Sequence, residues 1–168
     1  MKITALMPMR HSSERVPGKN YRMFNGKPLF HHVLESLLAV SDVERVVINT
    51  DSEIIVDQCE RLFPKVYCIE RPAELLGGEV PMTEILQHDA QLFPSDWFLQ
   101  THSTNPLLSA ATIASAIKAL EESSDEHDSL FSVNKLQTRL YDSDHQPLNH
   151  DPSILLRTQD LPPIFEEN

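Results

Sequence analysis

Arg10, Ser13, Arg15, Lys19 and Asn20 fall within one short segment, Pro8 to Asn20, of a 168-residue chain. Two guanidiniums, an ammonium, a hydroxyl and an amide so close together form a donor set suited to phosphate oxygens. Arginine offers a planar fork that meets two oxygens at once, and lysine adds a compact point charge. The spacing lacks G-x-x-x-x-G-K-[ST], so the segment is not a P-loop. It also lacks G-x-G-x-x-G, so it gives no support to a dinucleotide fold. On residue types alone, a phosphate cradle and a solvated basic loop both remain open. Further candidates lie downstream. Asp51 reads either as a helix N-cap or as a ligand, and Arg71, before Pro72, as a site residue or a surface one. Gln100 could face a ligand or merely close a strand ladder. His102 follows it in the same loop. His31 and His32 sit on a helical pattern, where one packed and one exposed ring need no functional role.

The elements that must position these groups follow from apolar periodicity. Ile3 to Met7 reads as a buried strand. Pro28 opens a helix to about Val40, with Leu29, Val33, Leu34, Leu37 and Leu38 on one face. Arg45 to Asn49 is a second strand, and Asp51 or Ser52 caps a helix from Glu53 to Leu62. Val66 to Ile69 is a third strand, and Pro81 opens a helix to about Leu92. Trp97 to Gln100 is a fourth strand, Ser109 caps a helix to about Glu121, and Ser129 to Val133 is a fifth strand. Alternation of this kind predicts a three-layer α/β/α domain around a mostly parallel sheet. In such sheets ligands gather beyond the carboxyl ends of the strands. All four glycines (Gly18, Gly26, Gly77 and Gly78) lie in the loops after the first and third strands. Residues 1–168 are read as a single domain, in which the polar segment 136–168 forms an excursion from the sheet.

Fourteen basic and twenty-five acidic residues give a net charge of −11. Such a surface disfavours DNA, RNA and anionic membranes as generic partners. Five of the fourteen cations (Arg10, Arg15, Lys19, Arg22 and Lys27) nevertheless crowd the first loop region. Local positive charge on an acidic chain points to a small anion. No apolar run approaches the roughly 20 residues a membrane span requires. The N-terminus does not read as a signal peptide, and Cys59 and Cys68 read as reduced core thiols, so a cytoplasmic protein is expected.

The run Arg10-x-x-Ser13-x-x-Val16-Pro17-x-Lys19-Asn20 resembles the opening motif of the acylneuraminate cytidylyltransferases, the CMP-sialic acid synthetases and their relatives. Further segments follow that family in order: Gly26-Lys27-Pro28-Leu29, Asn49-Thr50-Asp51, Arg71-Pro72-Ala73-Glu74-Leu75, Leu99-Gln100 leading to Pro106-Leu107, and Gln159-Asp160-Leu161-Pro162 with Asn168. Each motif alone is weak; their succession in register is more specific.

The resemblance implies a nucleotide-diphosphosugar-transferase type of fold and transfer of CMP from CTP to an acidic 2-keto sugar with release of pyrophosphate. It implies Mg²⁺ as cofactor, CTP and an acidic sugar as partners, and a homodimer in which residues of about 136–160 form an arm. Arg10 and Lys19 would serve catalysis, and with Ser13, Asn20, Asp51 and Arg71 would bind the nucleotide, Arg71 beside the cytosine. Gln100, His102 and Asn168 would face the sugar. The family's metal-binding D-x-D lies downstream of Asn168, so the metal ligands are unassigned here and the C-terminal part of the family domain is expected to be missing. Two departures stand out. Glu14 occupies a position that is often basic. The stretch Thr101 to Leu108 is longer than the family's Thr-Ser-Pro-Leu-Arg-like run and ends without its basic residue, which implies an altered sugar pocket. A glycosyltransferase, a nucleotidyltransferase of other specificity and a catalytically inactive nucleotide-binding module are the alternatives.

Overall fold

The computed structural model describes residues 2–13 and 15–167. Glu14 and Asn168 therefore lie outside the described residues. The chain divides into two compact units, Met1–Glu121 and Glu122–Asn168.

In the first unit, strands and helices alternate: β1 (Ile3–Leu6), α1 (Leu29–Leu38), β2 (Val43–Thr50), α2 (Glu53–Leu62), β3 (Val66–Glu70), α3 (Met82–Leu92), β4 (Trp97–Gln100) and α4 (Ala110–Ser123). The four strands form one parallel sheet in the order β3-β2-β1-β4. Helices flank it, as the alternating pattern predicts. β1 is buried throughout, and so is β2 from Val46 to Thr50. That suits a parallel sheet, whose strands are covered on both faces and read as continuous apolar runs.

The helix α1 shows how this layer is held. Phe30, Val33, Leu34 and Leu37 recur at helical spacing, and all four are fully buried in the core with Ala5, Met7, Ile48 and Ile55. Each such side chain contributes about 1.5–3 kcal/mol by leaving water. Pro28 is the N-cap residue rather than the first helical one. His31 is the packed member of the histidine pair: its Nε2 lies 2.8 Å from Gln58 Oε1, and its ring meets Phe30 and Phe63 edge to face. Burial pulls its pKa below the ordinary value of 6.5, against an opposing hydrogen bond from Gln58. Cys59 and Cys68 are free thiols, as expected. No helix among the described residues is long and apolar enough to cross a membrane.

Between β1 and α1 the chain makes a tight hairpin, in which Met23–Phe24 pairs antiparallel with Lys27–Pro28. Its two turn residues, Asn25 and Gly26, both have positive φ, 45° and 85°. Asn-Gly is the preferred pair for such a turn. In the sequence Gly26 stands out as a loop glycine and as the start of the Gly26-Lys27-Pro28-Leu29 run, and the hairpin signal of Asn25-Gly26 was passed over.

The second unit corrects the expected fifth strand. Residues 129–132 carry no strand; the strand is β5 (Val133–Leu136), which pairs antiparallel with β6 (Ile164–Glu167) and not with the parallel sheet. The backbone groups of 133–136 find their partners in 164–167, a segment whose apolar content is too small to announce a strand. Between them Gln137 donates from Nε2 to the carbonyls of Gln159 and Leu161, and Asn149 donates to the Thr138 carbonyl while accepting from the Leu140 amide. Polar side chains thus do much of the closing in a segment with few buried apolar residues.

Candidate functional site

Four loops meet at the carboxyl ends of the parallel strands. The loop after β1 does not leave the sheet at once. Met7 and Met9 donate backbone hydrogen bonds to the carbonyls of Val47 and Asn49, each at 2.9 Å, and Met9 forms an isolated parallel bridge with Thr50. The chain then turns through Gly18, whose φ is +63°. A Cβ there would lie 2.7 Å from the Tyr21 ring, so any larger residue would be strained and would have to displace that ring. The short 3₁₀ turn Lys19–Tyr21 follows. The loop after β2 supplies Asp51. The loop after β3 begins at Arg71, whose amide donates to the Thr50 carbonyl at 2.9 Å. The loop after β4 begins at Thr101, whose amide donates to the Leu6 carbonyl at 3.1 Å.

These loops enclose a cleft of about 590 Å³. Arg10, Ser13, Lys19, Asn20, Asp51, Arg71 and His102 all line it, so residues nominated from four separate loops come together. Gln100 does not line it; its exposed amide Nε2 lies 3.5 Å from His102 Nε2. Asn168 lies outside the described residues. Among the described residues the lining carries four cations (Arg10, Arg15, Lys19 and Arg71) against two carboxylates (Asp51 and Glu79). On a chain of net charge −11, this concentrates positive potential where an anion can enter.

Several side chains work differently from their simplest reading. Asp51 is not the N-cap of α2; Ser52 occupies that place. Asp51 Oδ1 instead accepts the His11 amide at 2.6 Å, which ties the β2 loop to the β1 loop. His11 Nδ1 lies 3.0 Å from Ser52 Oγ in the same junction. Asn20 is 5% exposed and braces two loops. Its Nδ2 donates to the Arg10 carbonyl at 2.7 Å, and its Oδ1 accepts from Ser103 Oγ at 2.6 Å. Arg71, also 5% exposed, donates from Nε to Asn49 Oδ1 at 2.8 Å and from Nη2 to the carbonyls of Asn49 at 3.0 Å and Met9 at 3.2 Å. Its Nη1 has no protein partner among the described residues. Burial lowers its pKa from the ordinary value for arginine, opposed by Asp51 and Asp89 and aided by Arg10. It nevertheless stays protonated, as arginine does in proteins.

Sequence reading missed Ser103, Thr104, Glu79 and Met82, which also line the cleft. Ser103 had a signal in the polar run Thr101 to Asn105 ahead of Pro106. Met82 is an ordinary first-turn residue of a helix and had none. No group of three or more His, Cys, Asp or Glu residues close enough to hold a metal ion occurs among the described residues. Among the described residues Asp51 and Glu79 are the cleft's carboxylates, and Asp51 already serves the His11 amide.

The cleft's cations, its position at the strand ends and the loop order agree with one enzyme family, whose model, cytidylyltransferase, matches residues 4–168. The chain belongs to the cytidylyltransferase family. Among curated relatives, the 3-deoxy-manno-octulosonate cytidylyltransferase of Geotalea daltonii is 33% identical over 140 residues, covering 83% of this chain and 51% of its own. The CMP-N,N'-diacetyllegionaminic acid synthase of Legionella pneumophila is 46% identical over 57 residues, covering 34% of this chain and 25% of its own. This cytidylyltransferase homologue therefore spans about half the length of the 3-deoxy-manno-octulosonate enzymes it matches. Among solved structures, a CMP:2-keto-3-deoxy-manno-octonic acid synthetase complexed with CTP superposes with a TM-score of 0.63 at 21% identity, covering 83% of this chain and 54% of that one. The 4-diphosphocytidyl-2C-methyl-D-erythritol synthase of Anaerococcus prevotii superposes with a TM-score of 0.65 at 15% identity, covering 98% and 67%. At these identities the shared property is the fold.

Proposed function

We propose that this chain carries the nucleotide site of an enzyme that moves CMP from CTP to an acidic 2-keto sugar and releases pyrophosphate. The observation that carries this reading is the convergence of Arg10, Arg15, Lys19 and Arg71 on one cleft at the carboxyl ends of a parallel sheet, in a chain that is otherwise strongly acidic. In the proposed reaction the anomeric hydroxyl of the sugar attacks the α-phosphorus of CTP. The new P–O bond forms as the bond to the pyrophosphate oxygen breaks, and the hydroxyl proton is lost. Such chemistry asks for positioning and for neutralisation of charge on the phosphoryl oxygens more than for a covalent intermediate. Arg10 and Lys19 meet the triphosphate, with Ser13 and the loop amides cradling its oxygens. Arg71 presents its remaining Nη1 to the cytosine, whose ring carbonyl accepts it. Asn20 acts by bracing the loop that carries Arg10, and Asp51 by fixing the His11 end of the same loop.

The acceptor we favour is of the 3-deoxy-manno-octulosonate class. The relatives carrying that name align over most of this chain, whereas the legionaminic acid synthase aligns over 57 residues. A sialic acid of the acylneuraminate type is the less supported member of the same class. His102 lies at the cleft and Gln100 just outside it, so His102 is the better sugar contact of the two. Mg²⁺ belongs to the proposal as a cation on the triphosphate. The described residues do not supply a cluster of oxygen ligands for it, and Mg²⁺ is commonly held by only one or two carboxylates together with phosphate oxygens. A homodimer built through residues of about 136–160 is likewise a proposal.

The test is pyrophosphate release by the full-length protein with CTP, UTP, ATP and GTP, each offered 3-deoxy-manno-octulosonic, sialic, pseudaminic and legionaminic acids. Release with CTP and an acidic 2-keto sugar is expected. Release with UTP alone would exclude the cytidylyl assignment, and CTP binding without release for any acceptor would favour an inactive nucleotide-binding module.

A further inference from the structure

Behind Arg71 lies a chain of buried polar groups that the reaction does not use directly. Asn49 and Asp89 are both 0% exposed. Asn49 Nδ2 donates to Asp89 Oδ1 at 2.6 Å, and Asn49 Oδ1 accepts from Arg71 Nε at 2.8 Å. His88 Nδ1 lies 3.1 Å from the same Asp89 oxygen. The other carboxylate oxygen, Oδ2, is buried with no hydrogen-bond partner among the described residues.

The donor and acceptor chemistry of this chain runs one way. Ionised aspartate only accepts and guanidinium only donates. The Asn49 amide sits between them, so its NH₂ must face Asp89 and its oxygen must face Arg71. Without the carboxylate, nothing on the Asp89 side selects that orientation. If the amide turned over, its NH₂ would meet the Arg71 Nε–H, two donors face to face. Asp89 also places negative charge near a guanidinium that has left water. A buried carboxylate with one oxygen unsatisfied is costly. An apolar residue would suit packing better, as Ile85 does one turn earlier on the same buried face of α3.

We propose that Asp89, acting through the Asn49 amide, is the positioning residue that aims the Arg71 guanidinium into the nucleotide site and so helps set the choice of base. This rests on reading the cleft as a nucleotide site. Asp89 touches neither substrate nor reacting atoms; its effect travels along two hydrogen bonds.

The test is an exchange of the two partners in the full chain. Asn49→Asp alone sets two carboxylates face to face. Asp89→Asn alone leaves two amides that can pair in either orientation. The double variant restores the logic: the carboxylate at position 49 accepts from Arg71 Nε and from the amide at position 89. Two readouts are taken. One is the solvent exchange of the Arg71 Nε–H by nitrogen-15 NMR without nucleotide. The other is the ratio of CTP to ATP affinity, since adenine offers no ring carbonyl to the Arg71 guanidinium. Asn49→Asp is expected to accelerate Nε–H exchange and to lower CTP affinity by about tenfold with a narrowed CTP/ATP ratio, within the coupling range of contacting residues. Asp89→Asn should give a smaller loss in the same direction. The double variant should recover slow exchange and come within about threefold of the parent ratio.

Parent-like exchange and ratio in Asn49→Asp would overturn the proposal. So would a folded double variant that recovers neither, or a double variant that fails to fold. If Asn49→Asp itself fails to fold, the double variant decides by the same criteria. If the parent binds no nucleotide, the nucleotide reading fails, and the exchange measurement still decides whether Asp89 positions Arg71.

Discussion

Asn20 offers the sharpest test of how the cleft is assembled. Asn20→Ala removes two short hydrogen bonds at once, one to the Arg10 carbonyl and one from Ser103 Oγ. The net loss for such bonds is about 0.5–1.5 kcal/mol each, and stranding a buried hydroxyl raises its share to about 1–3 kcal/mol. Ser103 is 5% exposed, so its hydroxyl has little water to turn to. Together these give a destabilisation of about 2–4 kcal/mol. At about 2–4 °C per kcal/mol for a chain of this size, the melting temperature should fall by about 4–16 °C. Ser103→Ala should cost less, because it strands only the Asn20 oxygen. The decisive comparison is the double variant, followed by circular dichroism: Asn20→Ala with Ser103→Ala should fall short of the sum of the singles by about 0.5–1.5 kcal/mol, the worth of the bond they share. CTP affinity should drop in Asn20→Ala beyond any loss in Ser103→Ala, because only Asn20 also holds the backbone of Arg10. Strict additivity, or a melting temperature unchanged in Asn20→Ala, would refute the brace.

Three other outcomes are expected. Arg10→Ala and Lys19→Ala should each weaken CTP binding by about 10- to 100-fold in calorimetric titration, the worth of one charge-assisted contact, with the melting temperature nearly unchanged; unchanged affinity in both would remove the phosphate role from the first loop. Leu34→Ala, at a fully buried site in the α1 face, should cost about 2–5 kcal/mol in denaturant unfolding. His31 is held below its ordinary 6.5 by burial, so the unfolded chain binds a proton that the folded chain refuses. Its contribution to stability is complete above 6.5 and declines as pH falls from there toward the lower folded value. His31→Gln should flatten that part of the pH–stability curve, and a parent and variant that decline in parallel would contradict the assignment.

The order of strands and helices was legible because buried parallel strands and one-faced helices leave strong periodic signals: Trp97 to Gln100 and Glu53 to Leu62 fall where the pattern puts them. The cleft was legible too, because strand ends gather ligands and glycines mark close turns. What the sequence did not disclose were pairings between distant polar residues. Asp51 reads as a helix cap or a ligand, and its bond to the His11 amide depends on how two loops approach. Asp89 sits in a helical stretch where an acidic residue usually means solvent, and only the approach of Asn49 turns it into a buried partner. The strand at Val133 to Leu136 was misplaced for the same reason, since its mate, thirty residues on, is a weak signal by itself.

The central place of β1 has a consequence for the order in which the molecule forms. β1 precedes both of its partners in the chain: Ile3 pairs on one side with Val43 and on the other with Trp97. Its second neighbour is made roughly ninety residues after it. At typical synthesis rates of about 5–20 residues per second, that is a wait of about 5–20 s for an apolar strand with an open edge. The Asn20–Ser103 brace, 83 residues long in sequence, must close later still. Completing the cleft therefore depends on a contact of high closure entropy. Substitutions in the brace should act mainly on the rate of unfolding, because an interaction absent from the transition state slows only the escape from the native state.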